Sequence, residues 1–89
     1  MRLSLRVKGK VQGVGFRYFV SRIAHEMGLS GWVQNLPDGD VEAEIQGDEK
    51  MLEDFMKKLK DGHSWARVDS VQSREIPEKA GAADFEILG

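Results

Sequence analysis

The order in which hydrophobic periodicity changes along the chain restricts its architecture more than any other feature. Residues 2–8 alternate, with Leu3, Leu5 and Val7 against Arg2, Ser4, Arg6 and Lys8, the pattern of a half-buried strand. From Phe16 the period becomes helical. Phe16, Phe19, Val20, Ile23, Ala24 and Met27 form one stripe, and Arg22, His25 and Glu26 fill the other face. Gly28 stands where a helix-terminating glycine is expected. Residues 30–36 read as a second strand, Pro37-Asp38-Gly39 as a turn, and Val41, Ala43 and Ile45 as the inward side of a third strand. The second and third strands therefore form an antiparallel hairpin. Asp48 is placed to cap a second helix, whose stripe is Met51, Leu52, Phe55, Met56 and Leu59. Lys57, Lys58 and Lys60 suit the negative end of its dipole, and Gly62 ends it. A less regular strand is expected near 67–76 and a short one at 83–88, carrying Phe85 and Ile87.

The order is β-α-β-β-α-β with one extra strand added to the sheet. It predicts an α+β chain of the ferredoxin-like α/β sandwich type: an antiparallel sheet of four to five strands with two helices on one face. Eighty-nine residues leave room for a single domain, 1–89. Such a fold hosts many unrelated activities, so function has to be read from a site.

Composition removes several classes of chemistry. There is no cysteine, hence no disulfide, thiol nucleophile or thiolate-bound zinc. The only histidines, His25 and His63, are too far apart in sequence for a helical metal pair. A net charge of −2 lacks the basic excess of a general nucleic-acid binder. No apolar run is long enough to span a bilayer, and charges recur too soon after Met1 for a signal peptide. A soluble, cytoplasmic protein is expected. His25 and His63 are assigned ordinary surface roles, and Tyr18, Trp32, Trp65 and the methionines are assigned to packing.

The segment with chemical content is Gly9-Lys10-Val11-Gln12-Gly13-Val14-Gly15-Phe16-Arg17, which joins the first strand to the first helix. Its glycines permit positive φ and close backbone approach. Successive N–H groups can then converge on an anion, aided by the helix dipole. No Ser, Thr, Asp or Asn between Gly13 and Phe16 is available to cap those N–H groups. A Walker A loop is excluded because no Ser or Thr follows a Gly-Lys pair there. The dinucleotide fingerprint is excluded because Tyr18 stands where its third glycine belongs. Arg17, just inside the helix, carries a fork that can grip two phosphate oxygens. An isolated arginine fits a solvated side chain or surface ion pair better; directly after this glycine passage the two readings stand level. Asn35, at the end of the second strand, has an amide able to bind water or phosphate, and it also fits the start of a turn.

The run VQGVGFR (11–17), with GLSGWVQNLPDG (28–39) and VEAEIQG (41–47), resembles the small acylphosphatases, and the likeness continues weakly through ARVDSV (66–71) and Phe85. The resemblance implies hydrolysis of a carboxyl–phosphate mixed anhydride without metal or other cofactor. It implies that Arg17 binds the phosphate, that Asn35 positions the attacking water, and that the backbone N–H groups of Gln12, Gly13, Val14, Gly15, Phe16 and Arg17 cradle the phosphoryl group. The chain departs from many relatives in ending Phe85-Glu86-Ile87-Leu88-Gly89, where they carry an Arg-Tyr pair, and in having Trp65 in a loop that often holds proline.

The expected partner is a small acyl phosphate, with inorganic phosphate or sulfate as competing anion, acting on a monomer with no nucleic-acid or membrane partner. Two other functions share the fold. An RNA-binding module needs stacking aromatics on its central strands, and neither Leu-Ser-Leu-Arg-Val-Lys nor Val-Glu-Ala-Glu-Ile-Gln offers one. A module that binds acyl or carbamoyl phosphate without turning it over is the second.

Overall fold

A computed structural model describes all residues, 1–89. The elements run β1 (Arg2–Lys10), α1 (Phe16–Glu26), β2 (Ser30–Asn35), β3 (Val41–Gln46), α2 (Glu49–Asp61), β4 (Arg67–Ile76) and β5 (Phe85–Leu88). They form one five-stranded sheet of order β4-β1-β3-β2-β5. Val41 pairs with both Val7 of β1 and Asn35 of β2, so the alternation read from the sequence puts Val7, Val41, Ala43, Ile45 and Val33 into one core. Both helices bury their stripes in that core, through Phe16, Val20, Ile23 and Ala24 from α1 and Leu52, Phe55 and Leu59 from α2. The methionines pack around it half-buried, as expected. No helix is long and apolar enough to cross a membrane.

The ferredoxin-like arrangement is as the periodicity predicts, with one amendment. The pairs β1–β3, β1–β4 and β2–β3 are antiparallel, but β5 lies parallel to β2, with Gly31 opposite Phe85 and Gln34 opposite Leu88. The sheet is therefore mixed. The 77–84 segment carries the chain from the β4 margin to the opposite margin, where β5 runs alongside β2. This addition carries the chain end to the same end of the sheet as Asn35 and the start of α1.

Helix ends follow their glycines. Gly62 donates to Leu59 O and Lys58 O, and Gly28 donates to His25 O at 3.1 Å. Asp48 occupies the N-cap position of α2 with extended backbone, but its carboxylate makes no capping bond; its carbonyl accepts the Leu52 N–H at 2.9 Å.

Arg2 departs from the exposed side assigned to it by alternation. It is only 2% exposed, although it lies on the sheet face away from the helices. Its Nε donates to Glu44 at 2.9 Å and its Nη1 to Gln46 at 3.2 Å. The 77–84 segment is tied down on this side. Gln46 exchanges two hydrogen bonds with the main chain of Lys79, and Asp84 O accepts the Gly31 N–H. Periodicity reveals which face a residue takes, but not that a distant loop will cover that face. Arg2→Ala is expected to lower stability by about 2 kcal/mol, since it strips a charged hydrogen-bond network of its donor. Urea unfolding at unchanged m-value checks this, and a change near zero would show the network to be idle.

Candidate active site

The site is built on the crossing from β1 to α1. Val11 and Phe16, each 1% exposed, pin this five-residue passage into the core at both ends. Between them Gly13 and Gly15 adopt φ of +72° and +76°. A Cβ at either would meet nothing within 4 Å, so it is backbone conformation rather than crowding that calls for glycine. Gly15 is the N-cap of α1 and supplies no side-chain bond. From Gln12 to Tyr18 no backbone N–H donates to any acceptor in the protein, while Gly15 O already receives the Phe19 N–H. The expected cradle of Gln12, Gly13, Val14, Gly15, Phe16 and Arg17 thus presents donors with no internal partner, at the positive end of a helix.

Arg17 and Asn35 come together. Both line one hollow of about 100 Å³, with Gly13, Gly15, Phe16 and Tyr18 on its other walls. The amide oxygen of Asn35 is buried there without a hydrogen-bond partner, which is costly for a buried acceptor unless something fills the hollow. Arg17 is held from behind: its Nη1 donates to Gly89 O at 2.6 Å and Leu88 O at 3.4 Å. Its Nε and Nη2 have no protein partner. The atypical final residues therefore contact the arginine through main-chain carbonyls, which do not depend on side-chain identity.

A brace fixes the glycine passage against the turn that follows Asn35. The Gln12 side chain donates from Nε2 to Leu36 O and to Asp40 O, both at 2.8 Å. Asp40 O also accepts the Leu36 N–H, closing the turn. The Asp40 carboxylate takes Lys8 Nζ and Arg6 Nε, each at 2.8 Å, and Arg6 reaches Asp38 as well. Hydrogen bonding from Lys8 first, and from Arg6 next, holds the Asp40 carboxyl below its ordinary value of 3.8, against a smaller opposing effect of burial.

Several assignments from sequence change here. His63 is half-buried rather than freely exposed: its ring lies against Phe16 and Phe19, at 6.3 and 5.1 Å between centroids. Its Nδ1 accepts the Trp65 N–H at 3.2 Å, and its Nε2 is buried without a partner. His25 is exposed, as expected, with Nδ1 3.3 Å from Ser21 Oγ. Tyr18 and Trp65, assigned to packing, are 72% and 77% exposed; Trp32 is half-buried. No group of three or more His, Asp or Glu side chains converges in a way that could hold a metal ion.

A family model described as Acylphosphatase matches residues 3–87. The chain belongs to the acylphosphatase family. A Thermococcus kodakarensis protein named acylphosphatase is 46% identical over 90 residues, covering all of this chain and 97% of that one. The crystal structure of acylphosphatase from Bacillus subtilis superposes with a TM-score of 0.94 at 38% identity, covering 99% of this chain and 98% of that one. The chain also matches, at TM-score 0.87 and 38% identity, a stretch amounting to 12% of T. kodakarensis HypF. The family makes the chain an enzyme, an acylphosphatase, in agreement with the resemblance read from VQGVGFR and its partner motifs.

Within this acylphosphatase site, the side chains of Gln12 and Asp40 are the residues that sequence reasoning missed. Gln12 was read for its backbone alone, and Asp40 was given no role. The available signal was Asp40 facing the basic alternate positions Arg6 and Lys8 across the β1–β3 register, which had not been assigned. Because the folded-state carboxyl of Asp40 is depressed, its contribution to stability is complete above the usual carboxylate value and is lost as pH falls through the lowered one. Asp40→Asn is therefore expected to melt below wild type at neutral pH, with the gap closing in strong acid. Parallel thermal melts across that range check it, and a constant gap would remove the ion pairs from the account.

Proposed function

We propose that residues 1–89 work as one domain that hydrolyses a small acyl phosphate to a carboxylate and inorganic phosphate, with Arg17 and Asn35 in the roles the sequence motifs suggest. The observation that carries this reading is the shared hollow. It joins partnerless N–H groups, a guanidinium with two free donors and an unpaired buried amide oxygen. The N–H groups of Gln12 through Arg17 and the outward edge of Arg17 hold the three equatorial phosphoryl oxygens, where charge accumulates. Asn35 accepts a hydrogen bond from water and aims its oxygen at phosphorus.

The water oxygen bonds to phosphorus as the bond from phosphorus to the acyl oxygen breaks. That electron pair leaves with the carboxylate, and the water proton passes to a phosphoryl oxygen. Carboxylate is a good leaving group, so neither an acid nor a metal is needed to expel it. Neither histidine enters this scheme: His63 is packed among aromatic rings, and His25 is exposed on the polar face of α1 beside Ser21.

The reading includes a cytoplasmic monomer. Phosphate release from benzoyl phosphate in the presence of EDTA tests the hydrolysis.

Arg17→Ala and Arg17→Lys are both expected to lose turnover and affinity for inorganic phosphate, since a point ammonium cannot replace a planar fork. Unchanged inhibition by phosphate or sulfate in Arg17→Ala would remove that role. Asn35→Ala is expected to keep phosphate affinity while kcat falls by about 100-fold, the usual effect of deleting one aligned polar group. A raised KM with kcat intact would move Asn35 from water placement to substrate binding.

A further inference from the structure

A second depression, of about 390 Å³, borders the phosphate hollow. Gly15 and Tyr18 belong to the walls of both, whereas Asn35 lines only the smaller one. The larger one is aromatic. Tyr18 and Trp65 stand in its walls and are the exposed large hydrophobic side chains of the whole chain. Phe19 and His63 add two further rings, in edge-to-face contact, and the Arg22 guanidinium lies 5.9 Å over the Phe19 ring with no carboxylate partner. Leaving an indole and a phenol in water on opposite sides of a sequence gap, yet on one groove, has no packing explanation: neither ring belongs to the core cluster or to the side chains packed against it.

We propose that this groove is the subsite for the acyl group, and that it selects flat, apolar acyl phosphates over small ones. The inference rests on the proposed function and deepens it. In-line displacement puts the leaving oxygen opposite the attacking water. With water at Asn35, the acyl oxygen departs on the side away from Asn35, and the groove is the space that adjoins the hollow without including that residue. A planar acyl group entering it covers Tyr18 and Trp65, and ring contact of this kind adds to simple area burial. Acetyl or carbamoyl groups are too short to gain from it. The groove therefore makes this protein's preference among acyl phosphates a property of Trp65 and Tyr18, while the phosphate itself is read by Arg17 and the glycine passage.

The test compares benzoyl phosphate with acetyl phosphate in wild type, Trp65→Ala and Trp65→Phe. Trp65 is exposed, so its removal leaves the core intact, and turnover of acetyl phosphate reports folding directly. Trp65→Ala is expected to raise KM for benzoyl phosphate by about fivefold, the size of one ring contact, with acetyl phosphate KM and phosphate inhibition within about twofold of wild type. Trp65→Phe is expected to restore most of the benzoyl phosphate KM. An unchanged benzoyl phosphate KM in Trp65→Ala, or equal rises on both substrates, overturns the subsite. Wild-type protein that binds phosphate but turns over neither substrate overturns the hydrolase reading itself, and the subsite with it.

Discussion

Everything at this site depends on main-chain N–H groups that the fold keeps from pairing with one another. A helix start normally satisfies its first donors with a capping side chain. Here Gly15 holds the capping position, and the chain on either side is anchored by Val11 and Phe16, whose burial is nearly complete. The passage cannot relax into an extra helical turn without pulling one of them from the core. Removing a fully buried Phe typically costs about 3–5 kcal/mol, far more than one recovered hydrogen bond returns. Core packing thus holds open a set of dipoles suited to an anion, and no charged cluster is needed to create it.

The remaining groups are positioned by contacts that join separate parts of the chain. Gln12 links the passage to the turn after Asn35, and Asp40 links that turn to Arg6 and Lys8 of the first strand. Leu88 and Gly89 hold Arg17 from the far edge of the sheet. These bonds fix the guanidinium, the amide and the cradle relative to one another before any ligand arrives. That preorganisation is what phosphoryl transfer chiefly requires of a protein, because it calls for placement and charge stabilisation more than for covalent chemistry.

The elements of this fold were readable because their signals are local. Leu3, Leu5 and Val7 alternate, Phe16 through Met27 recur at helical spacing, and Gly28 and Gly62 mark their ends. Arg17 and Asn35 were readable from motifs at matching separation, and the shared hollow brings them together. The features that escaped depend on what lies across space. Burial of Arg2 comes from a segment more than seventy residues away, and the brace at Asp40 from strand register. The parallel pairing of β5 comes from the route of the 77–84 connection. Trp65 and Tyr18 misled for the opposite reason: large aromatic residues are usually buried, and nothing in the local pattern says that these two are not.

The strand order leaves the sheet with two unlike margins. One is β5, only four residues long; the other is β4, ten residues long and exposed along most of its length. An open row of amides and carbonyls is a template on which a neighbouring molecule can add a strand. On β4 that row is studded with Arg67, Asp69, Arg74 and Glu75, whose charges obstruct any flat, apolar pairing partner. The molecule guards its long margin by charge and its short one by brevity, so screening by salt or protonation of the acids relaxes the guard on one side of the sheet only.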